Sequence, residues 1–423
     1  MGFLMRSEVS FKVSAPGRAD FLNTHQDYKG LPVVPAAVSL RTYVLSKFWD
    51  KNVFSIASLD LKELGEKFED CFPAGGRVKY REKSWFGNYF RAVVNVVLKL
   101  NPNVKLRGMR IAIESQVPMG SGLGSSAALE VAFAQLLNQA YGLNYDERTI
   151  AEIAYLAENE ELKIPCGRLD QYSSSFGGVI KLECRPPYNV EKLPTKNLIF
   201  VILDSGIKHS TAEIHPARQA QINEGLKALM KSANVPEALK RKLGFKYYEP
   251  KWEELSEEEI SPYLSSLDKE SASRILYTIR AQRSTELALK LLKSLRVAKG
   301  LREALAEELG LSGPTVKREK NRLRLVGMIM NYQHELMRDL YDLSLPKLEQ
   351  MRDAALEAGA YGVKISGAGV GGSLIALVKS FKEGRRVLEA GLGAGAKAGW
   401  VSKVSEGAKI EETLPFKFEN FNS

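Results

Sequence analysis

Between Pro118 and Ala128 the chain reads PMGSGLGSSAA, and no other stretch constrains its folding as much. Three glycines alternate with other residues, and Ser125 and Ser126 then lead into an apolar periodic stretch. Leu129, Ala132, Phe133, Leu136 and Leu137 fall at helical spacing, which predicts a helix from about Ser126 to Ala140. A glycine turn that opens a helix lets backbone N–H groups approach a ligand with no Cβ in the way. The helix start adds unpaired N–H donors and partial positive charge, which suits a phosphate. The plainer reading is a tight strand-to-helix turn capped by serine. The run is not a Walker A loop, because no lysine follows the glycines. Nor is it a protein-kinase glycine loop, which joins two strands.

A second glycine run, Ser366 to Gly372 (SGAGVGG), satisfies G-x-G-x-x-G at Gly367, Gly369 and Gly372. A dinucleotide fingerprint would continue into a helix. Here SLIALV follows, which reads as a strand, so the expectation is a glycine hairpin able to press against a ligand.

The remaining sequence sets bounds. At about 100–200 residues per domain, 423 residues imply two or three domains. With 44% hydrophobic and 26% charged residues, the chain is neither collagen-like, low-complexity nor wholly disordered. No apolar run approaches the roughly 20 residues of a spanning helix, so no membrane partner is expected. Met1 to Val13 lacks the apolar core of a secretion signal. Three cysteines, Cys71, Cys166 and Cys184, match no zinc spacing and imply no disulfide framework. Together these features lead us to expect a cytoplasmic protein. The net charge of +10 suits polyanionic ligands such as nucleoside triphosphates. The densest basic cluster, Lys317 to Arg324, has no interleaved aromatics and reads as an exposed helix or loop, so no nucleic-acid partner is expected.

Strand-like runs appear at Thr42–Trp49, Val53–Ser58 and Asn197–Asp204. Helical patterns cover about Arg148–Leu162, Ala272–Leu295 and the stretch between Pro346 and Gly359. Val363–Ser366 and Leu374–Val378 flank the second glycine run. The Pro186–Pro187 pair and the more helical second half put a domain boundary near residue 190, giving domains 1–190 and 191–423.

Three polar islands add candidate chemistry. Arg18, Asp20, Asn23, Thr24, His25, Gln26, Asp27 and Tyr28 crowd a short loop-like stretch, a density that suits a polyhydroxylated ligand. His25 has no second ligand at metal spacing, so no metal role is expected for it. Asp170, in CGRLDQYSSS, and Glu158 are carboxylates placed to accept a proton or hold a cation. A surface ion pair with Arg168 is the plainer reading for Asp170. Ser125 and Ser126 offer hydroxyls to phosphate or Mg²⁺.

Taken together, these stretches resemble the GHMP small-molecule kinases, and among them the galactokinase branch. PGRADFLNTHQDYKGLPVVPAA is similar to its sugar signature, PMGSGLGSSAALEVA to its second motif and VKISGAGVGGS to its third. AEN at Ala157–Asn159, PCGRLDQ at Pro165–Gln171, SGIKHS at Ser205–Ser210 and DLYDLSLPKLEQM at Asp339–Met351 fall in the family's order. The resemblance implies an α+β, two-domain GHMP kinase fold: a ribosomal S5 domain 2-like N-terminal domain and a ferredoxin-like C-terminal domain, with an insertion near 294–322. It implies ATP and Mg²⁺ as cofactors. ATP would lie on Pro118, Gly120, Gly122, Leu123, Gly124, Ser125, Ser126 and Ala127, and Ser126 and Glu158 would be the metal ligands. Arg18 and Asp170 match the catalytic pair beside the transferred phosphoryl group and the anomeric hydroxyl. Thr24, His25, Asp27, Gly167 and His215 match sugar contacts, and Gly367 to Gly369 match the third-motif glycines.

The implied activity is transfer of the ATP γ-phosphoryl group to the anomeric hydroxyl of galactose or a related pyranose, by a monomer or homodimer. Three positions depart from the galactokinase pattern: Asp20 replaces an asparagine, Thr24 replaces a glutamate, and His215 aligns with a tyrosine. A mismatched polar group there is worth about 1–3 kcal/mol, enough to alter sugar preference. N-acetylgalactosamine, a uronic acid or another pyranose therefore stay open as acceptors. So do a non-catalytic sugar sensor, against which the unbroken run Gly122–Ala128 speaks, and a mevalonate- or homoserine-type kinase, against which HQDY speaks.

Overall fold

The computed structural model describes residues 10–195, 197–207, 211–310 and 314–411. The β-branched run expected from Thr42 is the second half of a longer strand, β2 (Val34–Phe48). It pairs with β1 (Ser10–Leu22) on one side and β5 (Met109–Ser115) on the other. β3 (Val53–Ser58) and β4 (Glu69–Pro73) extend that sheet, with β3 parallel to β5. β6 (Ile180–Leu182) and β7 (Val190–Lys192) form a small separate ribbon.

The apolar run at 197–204 becomes β8 (Ile199–Asp204), an inner strand of a second sheet. That sheet runs β11-β8-β10-β9 and is antiparallel throughout, with β9 (Gly362–Ser366), β10 (Ser373–Val378) and β11 (Ala398–Lys403). Between inner strands both faces are covered, so β10 is buried at all six positions and reads as a continuous apolar run. The chain then returns to the first sheet as β12 (Lys409–Ile410), beside β1, completing the order β12-β1-β2-β5-β3-β4.

Helices α1 (Leu59–Glu63), α2 (Asn88–Leu100), α3 (Ser125–Tyr141), α4 (Glu147–Leu156) and α5 (Leu169–Phe176) accompany the first sheet. α3 starts one residue before the expected position because Gly124, at φ +68°, turns the chain into it. One core cluster packs Val13, Phe54, Phe90, Phe133, Leu137 and Ile153 together. A second joins Phe21 and Val34 of the first sheet to Phe200, Ile375 and Leu377 of the second, so the junction of the two halves is itself apolar core. The basic cluster from Lys317 is surface, as expected: Lys317 and Arg318 are exposed, while Val316 and Leu325 on either side are buried.

Candidate active site

The glycine loop adopts the backbone its composition allows. Gly120, Gly122 and Gly124 have φ of +71°, +76° and +68°, a region costly for residues with a Cβ. Gly124 is the N-cap of α3, and no side chain bonds the first-turn N–H groups, which leaves them open to an anion. A cavity of about 600 Å³ is lined by Pro118, Gly120, Gly122, Gly124, Ser125 and Ser126. Phe86, Tyr89 and Phe90 add aromatic wall, and Arg18 and Asp170 line the same space. Leu123 and Ala127 do not line it; both are buried, and Leu123 instead gives its carbonyl to the Arg18 N–H at 2.9 Å.

Arg18 and Asp170 lie 152 positions apart and meet as a bidentate pair. Nε donates to Oδ1 at 2.8 Å and Nη2 to Oδ2 at 2.6 Å. Arg18 sits in β1, not in the loop expected for this stretch. The ladder to β2 shifts register between Pro16 and Arg18, and such a bulge re-aims the side chain that follows. The remaining nitrogen, Nη1, donates to the carbonyl of Gly122 in the glycine loop. Asp170 is in the first turn of α5, where the helix dipole favours a carboxylate. A Cβ on Gly124 would stand 3.3 Å from Asp170 Oδ2, so the loop and the pair are in direct contact.

Glu158 lies in a π-turn, Ala157–Glu161, that continues α4. Such turns often mark functional positions. Its Oε2 accepts from Gln171 Nε2 at 2.7 Å, and Ser126 is among its neighbours. Burial, reinforced by the nearby Asp170 charge, pushes its pKa up to about 7. No group of three or more His, Cys, Asp or Glu forms a metal cage among the described residues. Ser126 lines the cavity and Glu158, buried, does not; a hydroxyl and a carboxylate are nevertheless donor types that fit Mg²⁺, which is held by one or two carboxylates together with substrate phosphates.

Asp27, Gly167 and His215, from distant parts of the sequence, line a second cavity of about 360 Å³. Burial pushes the Asp27 carboxyl up. His25 does not line it. Its Nε2 lies 3.0 Å from the carbonyl of Ala368 in the second glycine run, and its ring stacks edge-on to His215 at 4.7 Å. Burial and the neighbouring His215 lower its pKa well below the usual histidine range, so the ring is neutral. Thr24 is also buried and lines neither cavity. Its Oγ accepts a hydrogen bond from Lys364 Nζ at 2.7 Å. Lys364 is a buried contact of Thr24 that the sequence did not single out. A lysine inside the otherwise apolar run VKIS was the available signal, since buried lysines are rare. The second glycine run is held against the first: Ser373 Oγ donates to the Ser121 carbonyl at 2.7 Å, and the Asp20 N–H to Ser366 Oγ at 2.9 Å.

Residues 88–178 match the GHMP kinases N terminal domain and residues 301–396 the GHMP kinases C terminal domain. Residues 5–47 match the galactokinase galactose-binding signature. This chain belongs to the GHMP kinase family. It is 29% identical to the galactokinase of Chloroflexus aggregans over 377 residues, covering 87% of this chain and 84% of that one. It is likewise 29% identical to the galactokinase of Pyrococcus furiosus, covering 88% and 89%. In fold, this GHMP kinase is similar to Lactococcus lactis galactokinase solved with galactose, at a TM-score of 0.74, 21% identity and 95% coverage of both chains. It is also similar to a mevalonate kinase, at a TM-score of 0.61 and 17% identity. The mixed two-sheet architecture is the GHMP kinase fold expected from the sequence.

Proposed function

We propose that this GHMP kinase is an ATP-dependent sugar 1-kinase that phosphorylates the anomeric hydroxyl of galactose or a close pyranose relative. The observation that carries the reading is the Arg18–Asp170 pair, which touches the glycine loop on one side and stands three residues from Gly167 of the second cavity on the other. Phosphoryl transfer needs alignment and charge neutralisation more than covalent help from the protein. The α3 N-terminus and the glycine loop seat the nucleotide phosphates. Asp170 accepts the hydrogen bond of the sugar O1 hydroxyl, for which its carboxylate keeps lone pairs beyond those given to Arg18. As the new O1–P bond forms and the bond to the ADP oxygen breaks, the hydroxyl proton moves toward Asp170. Arg18 supplies fixed positive charge where negative charge spreads over the transferring group.

Mg²⁺ held by Ser126 and Glu158 would neutralise phosphate charge. We take the chain to change domains near residue 190, with its last described strand returning to the first. The reading is tested by measuring ADP release from Mg²⁺-ATP across a panel of hexoses. Turnover with galactose or a near relative is expected, whereas ATP binding with no turnover of any hexose would refute it.

A further inference from the structure

Resting on that sugar 1-kinase reading, we infer that Tyr247 is an acceptor-binding residue, its ring carried to the sugar by a braced loop of residues 242–251. Tyr247 lines the 360 Å³ cavity together with Asp27, Gly167 and His215. It lies in none of the motifs that carry the family resemblance.

The loop is built to hold one side chain still. Its ends meet where the Lys251 N–H donates to the Lys242 carbonyl at 2.9 Å, the closure of a compact Ω-loop. Inside it, the Phe245 N–H donates to Glu249 Oε2 at 2.7 Å, and a Cβ on Gly244 would stand 2.5 Å from that of Glu249. Tyr247 is pinned on both sides of its own Cα. Its N–H donates to Asn223 Oδ1 at 2.7 Å, from the helix Thr211–Lys231, and its carbonyl accepts from Nε1 of the buried Trp252 at 2.9 Å. Arg185 ties the loop to the polar stretch that holds Asp27. Its Nη2 donates to the Pro250 carbonyl at 2.9 Å, and its side chain lies against Gly30. Phe245 and Tyr248 are 45% and 54% exposed, so of these three aromatics only Tyr247 lines the cavity. A side chain fixed before the ligand arrives cuts the ordering cost of binding.

A pyranose carries hydroxyls around its edge and C–H groups on its faces, so its site needs apolar wall as well as polar groups. Three other tyrosines line the cavity, and each is engaged elsewhere. Tyr155 and Tyr188 sandwich the Arg168 guanidinium, 3.8 Å from each ring centre. Tyr28 shares a hydrogen bond with the Tyr341 hydroxyl at 2.9 Å. Tyr247 meets Tyr28 edge to face, with ring centres 5.6 Å apart, and its hydroxyl makes no hydrogen bond among the described residues. Its ring is what this position offers to the C–H groups of the sugar.

The test measures kcat and the KM of galactose and of Mg²⁺-ATP for the full chain and for Tyr247→Ala, Tyr247→Leu and Tyr247→Phe, each checked for an unchanged circular dichroism spectrum. Where the panel favours another hexose, that hexose replaces galactose. Losing the ring should raise the sugar KM about tenfold in the Ala and Leu variants, with kcat and the KM for ATP within about twofold, and Phe should restore the original value. Asn223→Ala, which frees the Tyr247 N–H from outside the cavity, should raise the sugar KM in the same direction. An unmoved sugar KM, an equal rise in the KM for ATP, or a Phe variant as impaired as Ala would each overturn the inference while leaving the sugar 1-kinase reading standing. No turnover of any sugar by the unsubstituted chain would overturn both.

Discussion

Arg18 spends all three of its guanidinium nitrogens on the site: two on the Asp170 carboxylate and one on the glycine loop. A bidentate pair of this kind fixes orientation as well as charge, which is what alignment of a hydroxyl with a phosphoryl group requires. Asp170→Asn keeps the side chain's shape but removes the proton acceptor. Its kcat should fall about a hundredfold to ten-thousandfold, with the circular dichroism spectrum unchanged. A near-normal kcat would remove Asp170 from the chemistry.

Lys364 makes a second residue-scale case. Its ammonium is fully buried and gives its hydrogen bonds to the carbonyls of Asp20 and Ile365 and to the Thr24 hydroxyl. Burial lowers its pKa to about 8, although the Asp20 charge pulls the other way. Thr24→Glu sets a carboxylate beside this cation. If Thr24 governs sugar choice through this contact, the ratio of kcat/KM values across the sugar panel shifts toward galactose. An unchanged profile would separate Thr24 from selectivity.

At the scale of elements, α3 and its loop form one device. Gly124→Ala puts a Cβ at φ +68° and within 3.3 Å of Asp170 Oδ2. The left-handed backbone alone should cost about 1–2 kcal/mol, read as a lower midpoint in urea, and the displaced Asp170 should lower kcat as well. The helix Pro346–Glu357 offers a pH test. Burial raises the pKa of Glu349, but bonds from His334 and Ser344 and the nearby Arg338 outweigh it and bring it down to about 2, against 4.5 for a free glutamate. Because the folded pKa is the lower one, Glu349 contributes stability above about pH 4.5, and this is lost as pH falls toward about 2. Glu349→Gln should flatten the acid limb of a Tm-against-pH curve, and an unaltered limb would deny the contribution.

Much of this scale was legible in the sequence. The glycine loop opened a helix, the apolar run at 197–204 became β8, and Pro346 began its helix, because each is a local signal of period or turn chemistry. The stretch holding Arg18 and Asp20 was not legible. Its polar residues suggested a loop, yet they lie in β1, where they are buried by partners more than 100 positions away, such as Asp170 and Ser366. No local pattern reports such contacts. Lys364 and the aromatic wall of the first cavity were hidden for the same reason.

For the molecule as a whole, the last described strand ties the two sheets together. β12 pairs with β1, and Arg41 donates to the carbonyls of Glu406 and Gly407 at 2.8 and 2.7 Å. The core cluster joining Phe21 to Phe200 and Ile375 spans the junction of the two halves. Calorimetry should therefore show one cooperative unfolding transition, whereas two resolved peaks would mean that the halves unfold independently. The site depends on that union, since Arg18, the glycine loop and the second glycine run come from both halves. The most direct test is phosphorus NMR of the product formed from Mg²⁺-ATP and galactose or N-acetylgalactosamine. A new phosphomonoester coupled to the anomeric proton is predicted. A phosphomonoester coupled to the C6 methylene protons, or ADP formed with no sugar ester at all, would contradict the account.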